Sequence, residues 1–161
     1  MKNFSLPIAL FLATIHLPIW APMALADSVI VTEPWIRYAP PLVKSHAGYF
    51  GLKNSGQVNR ILATAKSPLY ERVEMHVSKL ENGFATMQRV EQINIQAGKM
   101  VVFEPGGLHM MLIGPKLPQT IGAEIPITLT FQNGEEIDIK AVIKKSASYG
   151  NMHKHHKMKM N

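Results

Sequence analysis

Apolar and polar residues alternate over short runs along most of the chain, a pattern typical of half-buried β-strands. In the clearest run, Ile127, Leu129 and Phe131 alternate with threonines. The sequence Gln-Asn-Gly-Glu follows at 132–135 and predicts a turn into a return strand, because Asn-Gly favours tight hairpins. The whole pattern predicts ten strands, at 29–33, 47–53, 60–65, 72–80, 85–90, 92–95, 100–103, 109–113, 126–131 and 136–143.

Long helical periodicity is absent from the sequence. Many short strands separated by turn signals predict an all-β sandwich or barrel. The chain has 161 residues, which suits one domain around one hydrophobic core.

The two ends of the chain differ in character from its middle. Residues 1–26 combine Lys2, a long apolar stretch and the small residues Ala24 and Ala26, which together predict a secretory signal peptide cleaved after Ala26. The alternative is an uncleaved membrane anchor, and the prolines in the apolar stretch argue against it. A lipid-attachment site is not expected, because there is no cysteine near residue 20. We therefore expect a periplasmic protein with a β domain at 27–146 and a disordered tail at 147–161.

Candidate chemistry comes from histidine and methionine, because the sequence has ten methionines, seven histidines and no cysteine. Thioether sulfur is a soft ligand that selects Cu(I) over harder ions. The strands at 72–80 and 85–90 flank Asn82-Gly83 and predict a hairpin with Ser78 opposite Met87 and His76 opposite Arg89. His76 and Met87 are then diagonal neighbours on one face.

A second pair of donors lies on a later strand. His109 and Met111 are two residues apart and share a face, whereas Met110 points the other way. The turn residues at 104–107 come just before them, so the site is expected at the loop end of the fold. A single methionine in a strand is usually core packing and a single histidine is usually a surface residue. The two pairs together favour a metal site.

The spacing His76-x10-Met87-x21-His109-x-Met111 is similar to the signature of the periplasmic copper-chaperone family written PCu(A)C. The resemblance covers about residues 29–143. It includes Trp35-Ile36-Arg37, Ala47-Gly48-Tyr49-Phe50 with Asn54, the segment 106–112, and the segments 126–131 and 134–135.

The resemblance implies a cupredoxin-like Greek-key β-sandwich that binds one Cu(I) through His76, Met87, His109 and Met111. It also implies delivery of copper to the CuA centre of cytochrome c oxidase, with the CuA subunit and other copper-assembly chaperones as partners. A blue-copper electron carrier is excluded by composition, because such a site needs a cysteine thiolate.

The tail is the second candidate metal site, because His-rich short tracts are typical of metal binding. Its imidazoles suit Cu(II) and its thioethers suit Cu(I). Some members of the family that this sequence resembles carry a similar tail, which is thought to bind a second copper. The alternatives are a solvated basic tail and an expression tag. The candidate ligands are Met152, His153, His155, His156, Met158 and Met160.

The formal net charge of +6 bears on the partners. Nucleic acid is not expected, because the export signal and the lack of base-stacking aromatics among the basic residues argue against it. An acidic docking patch on a membrane-bound oxidase subunit fits better, with membrane contact only through that partner. A monomer is expected, and a copper-bridged dimer stays open.

An enzyme is not expected, because the sequence lacks the Gly-x-Ser-x-Gly and His-Glu-x-x-His motifs. His46 is read as a structural or surface residue, with auxiliary copper ligation as the alternative.

A copper-buffering or scavenging protein for resistance or uptake needs the same site as a delivery chaperone. Loss of oxidase activity in a deletion strain at low copper would favour delivery. A structural or adhesive β-sandwich is the third class, and it predicts no tight Cu(I) binding.

Overall fold

The computed structural model describes residues 29–81 and 83–145, and every regular element in these ranges is a β-strand. No helix in the described part is long and apolar enough to cross a membrane. The predicted signal peptide at 1–26, the predicted tail at 147–161 and Asn82 lie outside the described residues. The strands are β1 (Val29–Arg37), β2 (Ser45–Asn54), β3 (Arg60–Lys66), β4 (Tyr70–Glu81), β5 (Phe84–Val90), β6 (Ile93–Ile95), β7 (Met100–Phe103), β8 (Leu108–Pro115), β9 (Glu124–Phe131) and β10 (Glu136–Lys144).

Each predicted strand has a counterpart, and the largest difference is at β1. The pattern predicts an end at Glu33, but β1 continues to Arg37. Its pairing with β2 shifts between Thr32 and Trp35, and Glu33 adopts a positive φ of 48°. This β-bulge interrupts the alternation, which is why the sequence pattern ends early.

The strands form one hydrogen-bonded sheet in the order β5-β4-β8-β2-β1-β10-β9-β3-β6, with β7 also paired to β2. β1 and β10 pair in parallel, and the other pairs are antiparallel. The sheet curls so that strands far apart in this order, such as β3 and β4, approach each other. The prediction of a single all-β domain is confirmed.

One hydrophobic core fills the curled sheet, and every strand except the edge strand β5 contributes a buried residue to it. Burying a large aliphatic or aromatic side chain contributes about 1.5–3 kcal/mol each, so this cluster is the main source of stability. The largest fully buried side chains are Tyr70, Phe103, Phe131, Ile36, Leu52, Leu62, Ile95, Met110, Leu112, Ile125, Leu129 and Ile143.

The three strands β5, β4 and β8 are adjacent at one end of the sheet. Their alternating residues face either the core or the outer surface. On β8, Met110 and Leu112 are fully buried in the core, so His109 and Met111 lie on the outer face. This outer face carries all the candidate metal ligands of the described chain.

Candidate metal centre

The β4–β5 hairpin has the register predicted from its sequence. Ser78 pairs with Met87, and His76 pairs with Arg89. Directly paired residues share a face, so His76 and Met87 are diagonal neighbours on the same side of the hairpin. The predicted placement of these two residues is confirmed.

The β4–β8 pairing brings the second pair of donors to the same face. His76 pairs with His109, and Glu74 pairs with Met111. The two imidazole ring centroids are 6.1 Å apart, with an angle of 36° between the ring planes. Because a metal ion bonds to an imidazole nitrogen at about 2 Å, this separation suits one ion held between the two rings.

Accessibility increases from the middle of this face toward the sheet edge. His109 on β8 is 5% exposed, whereas Met87 on the edge strand is 56% exposed. The His76 side chain on β4 lies between them at 15%. An ion at this site would therefore be shielded on one side and reachable through Met87 on the other.

The backbone holds His109 in one tautomer. Its Nδ1 lies 3.0 Å from the carbonyl oxygen of Gly107, and that oxygen can only accept, so Nδ1 carries the proton. The same carbonyl accepts the backbone N–H of Ser78, which ties the turn before β8 to β4. The lone pair of His109 is therefore on Nε2, where a metal ion can bind.

His76 is held by a side chain rather than by the backbone. Its Nε2 lies 2.9 Å from Oε2 of Glu74. Its Nδ1 is buried and has no hydrogen-bond partner among the described residues. The hydrogen bond from His76 is the main reason that the pKa of Glu74 lies below its ordinary value, with Arg72 and Arg89 lowering it further against the opposing effect of burial.

The donor set on this face is soft. In residues 29–81 and 83–145, no three histidine or carboxylate side chains are grouped closely enough to hold a metal ion. Met87 and Met111 lie on the same face as the two histidines, so two thioethers are available beside the two imidazoles. Two imidazoles with two thioethers suit Cu(I) better than Zn, Mg or Ca.

His46 lies apart from this face. It is inside β2, which begins at Ser45 rather than at the predicted residue 47. It pairs with the core residue Leu112 and so lies on the side opposite His109 and Met111. Its Nδ1 is 2.7 Å from the hydroxyl of Tyr70, and burial lowers its pKa. The structural reading of His46 is confirmed, and auxiliary ligation at the outer face is excluded by its position.

Sequence reasoning missed the groups that support the two histidines. Glu74 precedes His76 by two residues on the same strand, so the period of two could have placed the carboxylate beside the imidazole. No sequence signal could have identified the Gly107 carbonyl, because every residue has a backbone carbonyl group. The predicted tail ligands, residues 152–160, lie outside the described residues.

Comparison with known proteins agrees with this geometry. The model of the LpqE-like family, described as "Putative lipoprotein LpqE-like", matches residues 29–143. The chain belongs to the LpqE-like (PCuAC) family. A related protein of this kind, Lxx21020 of Leifsonia xyli subsp. xyli, is 32% identical over 81% of this chain and 79% of its own length. The family description indicates a location outside the cytoplasm.

Solved PCuAC domains have the same fold. The copper-bound PCuAC domain from PmoF2 matches with a TM-score of 0.63 and 22% identity, over 73% of this chain and 93% of that domain. The solution structure of Cu(I)-DR1885 from Deinococcus radiodurans matches with a TM-score of 0.62 and 26% identity, over 78% of this chain and 83% of that one. The predicted cupredoxin-like β-sandwich is confirmed.

Proposed function

We propose that this PCuAC family member is a copper chaperone that binds one Cu(I) through His76, Met87, His109 and Met111. The observation that carries the proposal is the register of β5, β4 and β8, which places all four side chains on one face. The similarity to a Cu(I)-bound PCuAC protein from Deinococcus radiodurans supports the choice of ion.

The chemistry of the site suits a carrier that must also release its ion. Neutral imidazole and thioether ligands stabilise Cu(I) without a fixed charge. The exposed Met87 on the edge strand allows an incoming ligand to replace one sulfur at a time. The proposed activity is binding and transfer, with no catalytic step.

We further propose that the recipient is the CuA centre of cytochrome c oxidase, reached in the periplasm after cleavage following Ala26. The family's extracytoplasmic character and the net charge of +6, which favours an acidic docking patch, support this choice. Other copper-assembly chaperones are further partners, and the deletion strain described above separates delivery from buffering.

The tail at 147–161 is proposed to bind a second copper. Three histidines and three methionines within nine residues support this role. Cu(II) is expected on the imidazoles and Cu(I) on the thioethers.

Substitution of the two candidate thioether ligands, the exposed Met87 and the half-buried Met111, tests the core site. We expect Met87→Leu and Met111→Leu each to weaken Cu(I) binding by at least about tenfold, because leucine keeps the volume but removes the sulfur. The measurement is an anaerobic competition titration against a chromophoric Cu(I) chelator. Met100→Leu is the matched control, since Met100 is 50% exposed and lies on β7, which pairs with the far end of β2 from Met111.

Unchanged Cu(I) affinity in both Met87→Leu and Met111→Leu would contradict the assignment. Equal weakening in Met100→Leu would do the same, because it would show a general effect of losing a surface thioether. Circular dichroism should show the same β-sheet spectrum in all three variants, since neither Met87 nor Met111 belongs to the core.

A further inference from the structure

We infer that Glu74 is a positioning residue that presents Nδ1 of His76 to the copper ion, so that the two histidines bind through different nitrogens. His76 would bind through Nδ1 and His109 through Nε2. The inference rests on the proposed function and adds to it a residue outside the four-ligand pattern.

Glu74 is fixed on both sides of its carboxylate. Its Oε2 accepts from Nε2 of His76 at 2.9 Å, and its Oε1 accepts from Nε of Arg72 at 3.0 Å. Nη1 of Arg89 lies 3.7 Å from the same Oε1. Because Arg89 is on β5 and Arg72 is on β4, the carboxylate is held across the hairpin that also carries Met87.

The carboxylate supports the site without joining it as a ligand. Among the described residues, Glu74, His76 and His109 are not grouped closely enough to hold a metal ion together. Both carboxylate oxygens already have partners within the protein. Metal-binding histidines commonly donate their second ring N–H to such a carboxylate, which fixes the ring and raises its basicity.

The unsatisfied atom of His76 indicates where the ion binds. An ionised carboxylate can only accept, so Nε2 of His76 carries the proton and Nδ1 carries the lone pair. That Nδ1 is buried without a partner, which is costly for a polar atom unless something binds it. A Cu(I) ion between the rings satisfies it.

His109 has the opposite arrangement. Its Nδ1–H donates a hydrogen bond to the Gly107 carbonyl, which leaves the lone pair of Nε2 free to bind a metal ion. The metal-free protein therefore holds one imidazole by a side chain and the other by the backbone, each with a different nitrogen available. Only the hydrogen bond of His76 can be removed by a side-chain mutation, because its acceptor is the Glu74 carboxylate and not a backbone carbonyl.

Nitrogen NMR of the full chain tests the inference directly. With histidine ¹⁵N-labelled and one equivalent of Cu(I) added without oxygen, long-range ¹H–¹⁵N spectra identify the nitrogen that binds copper in each ring. We expect Nδ1 in His76 and Nε2 in His109. Copper bound through Nε2 of His76 would overturn the inference and leave the proposed function intact, whereas no copper at either ring would overturn both.

Variants of Glu74 separate positioning from general structure. Glu74→Leu should give metal-free His76 a mixture of the two tautomers. It should also weaken Cu(I) binding at the core site by roughly tenfold to a hundredfold. The affinity is measured by competition with a Cu(I) chelator, followed through the NMR signals of His76 and His109. Glu74→Gln keeps an accepting oxygen and should keep the tautomer with a smaller loss. Glu91→Leu is the matched control, because Glu91 pairs with Arg89 at 3.2 Å but not with His76.

Retention of the His76 tautomer and of the Cu(I) affinity in Glu74→Leu would show that Glu74 has no positioning role. A loss of the same size in Glu91→Leu would assign the effect to the surface ion pairs instead. The wild-type spectrum and Glu74→Gln decide the question even if Glu74→Leu does not fold.

Discussion

The four candidate ligands differ in how firmly the fold holds them. His109 is nearly buried and bonded to the Gly107 carbonyl, and His76 is bonded to Glu74. Met87 is more than half exposed on an edge strand. The imidazoles therefore supply a preformed pair, and the thioether of Met87 is the donor most accessible to a recipient.

A buried histidine outside the candidate metal centre makes the stability of the fold depend on pH. His46 is 5% exposed and hydrogen-bonded to Tyr70, which is itself buried. Burial lowers the pKa of His46 from its ordinary value of 6.5 and raises the pKa of Tyr70 to about 12. Each shift favours the neutral form of its side chain in the folded protein.

The metal-free protein should lose stability as the pH falls below 6.5, the ordinary pKa of histidine. In this range the unfolded chain takes up a proton at His46 that the folded protein does not, so the free energy of unfolding falls until the pH reaches the lowered pKa. Urea unfolding at about pH 7.5 and about pH 5.5 measures the difference, and His46→Gln should make it smaller. An equal pH dependence in His46→Gln would show that His46 is not the group responsible.

The β4–β5 hairpin is the element on which the site depends most. It carries His76 and Met87, and β5 is attached to the described sheet only through β4. Gly83 in its turn has a φ of +81°, a conformation that glycine adopts at little cost and other residues avoid. The turn therefore fixes the register that brings Met87 to the same face as His76.

Gly83→Ala should destabilise this hairpin by about 1 kcal/mol through backbone strain alone, because no atom lies within 4 Å of the added Cβ. Cu(I) affinity should fall up to about fivefold, the factor to which that energy corresponds. Urea unfolding and chelator competition measure the two effects. Gly98→Ala is the control, since Gly98 also has a positive φ of 69° and open space but lies in the turn before β7.

A similar stability loss is expected in both glycine variants, with weaker copper binding only in Gly83→Ala. If Gly98→Ala weakened Cu(I) binding as much, the effect would come from overall stability and not from the hairpin. If neither variant changed binding, the turn would not control the position of Met87.

Local patterns predicted the elements well and their long-range pairing poorly. The hairpin register follows from the Asn-Gly turn, so the relation of His76 to Met87 was predictable. The direct pairing of His76 with His109 was not, because β4 and β8 are separated by three strands in the chain. The parallel pairing of β1 with β10 likewise has no local signal.

The same limit applies to the site. The spacing of the four candidate ligands and their resemblance to a known family predicted the donors, but spacing does not reveal which nitrogen of an imidazole is free. That depends on Glu74 and on the Gly107 carbonyl, whose positions are set by strand pairing and by the turn at 104–107.

At the level of the whole molecule, the core and the candidate metal centre are separate. Within residues 29–81 and 83–145, the buried core cluster does not include His76, Met87 or Met111. The apolar cluster should therefore fold without copper, unlike small domains whose metal ligands supply the folding energy.

The central claim is that the folded domain holds one tight Cu(I) whether or not the His- and Met-rich tail is present. The most direct measurement is an anaerobic Cu(I) competition titration of the full chain beside a form that ends at Ser146. We expect both forms to bind one tight Cu(I) in the domain, with additional copper, including Cu(II), bound only by the full chain. Cu(I) binding that disappears with the tail would contradict the account and identify the protein as a metal scavenger that acts through its tail.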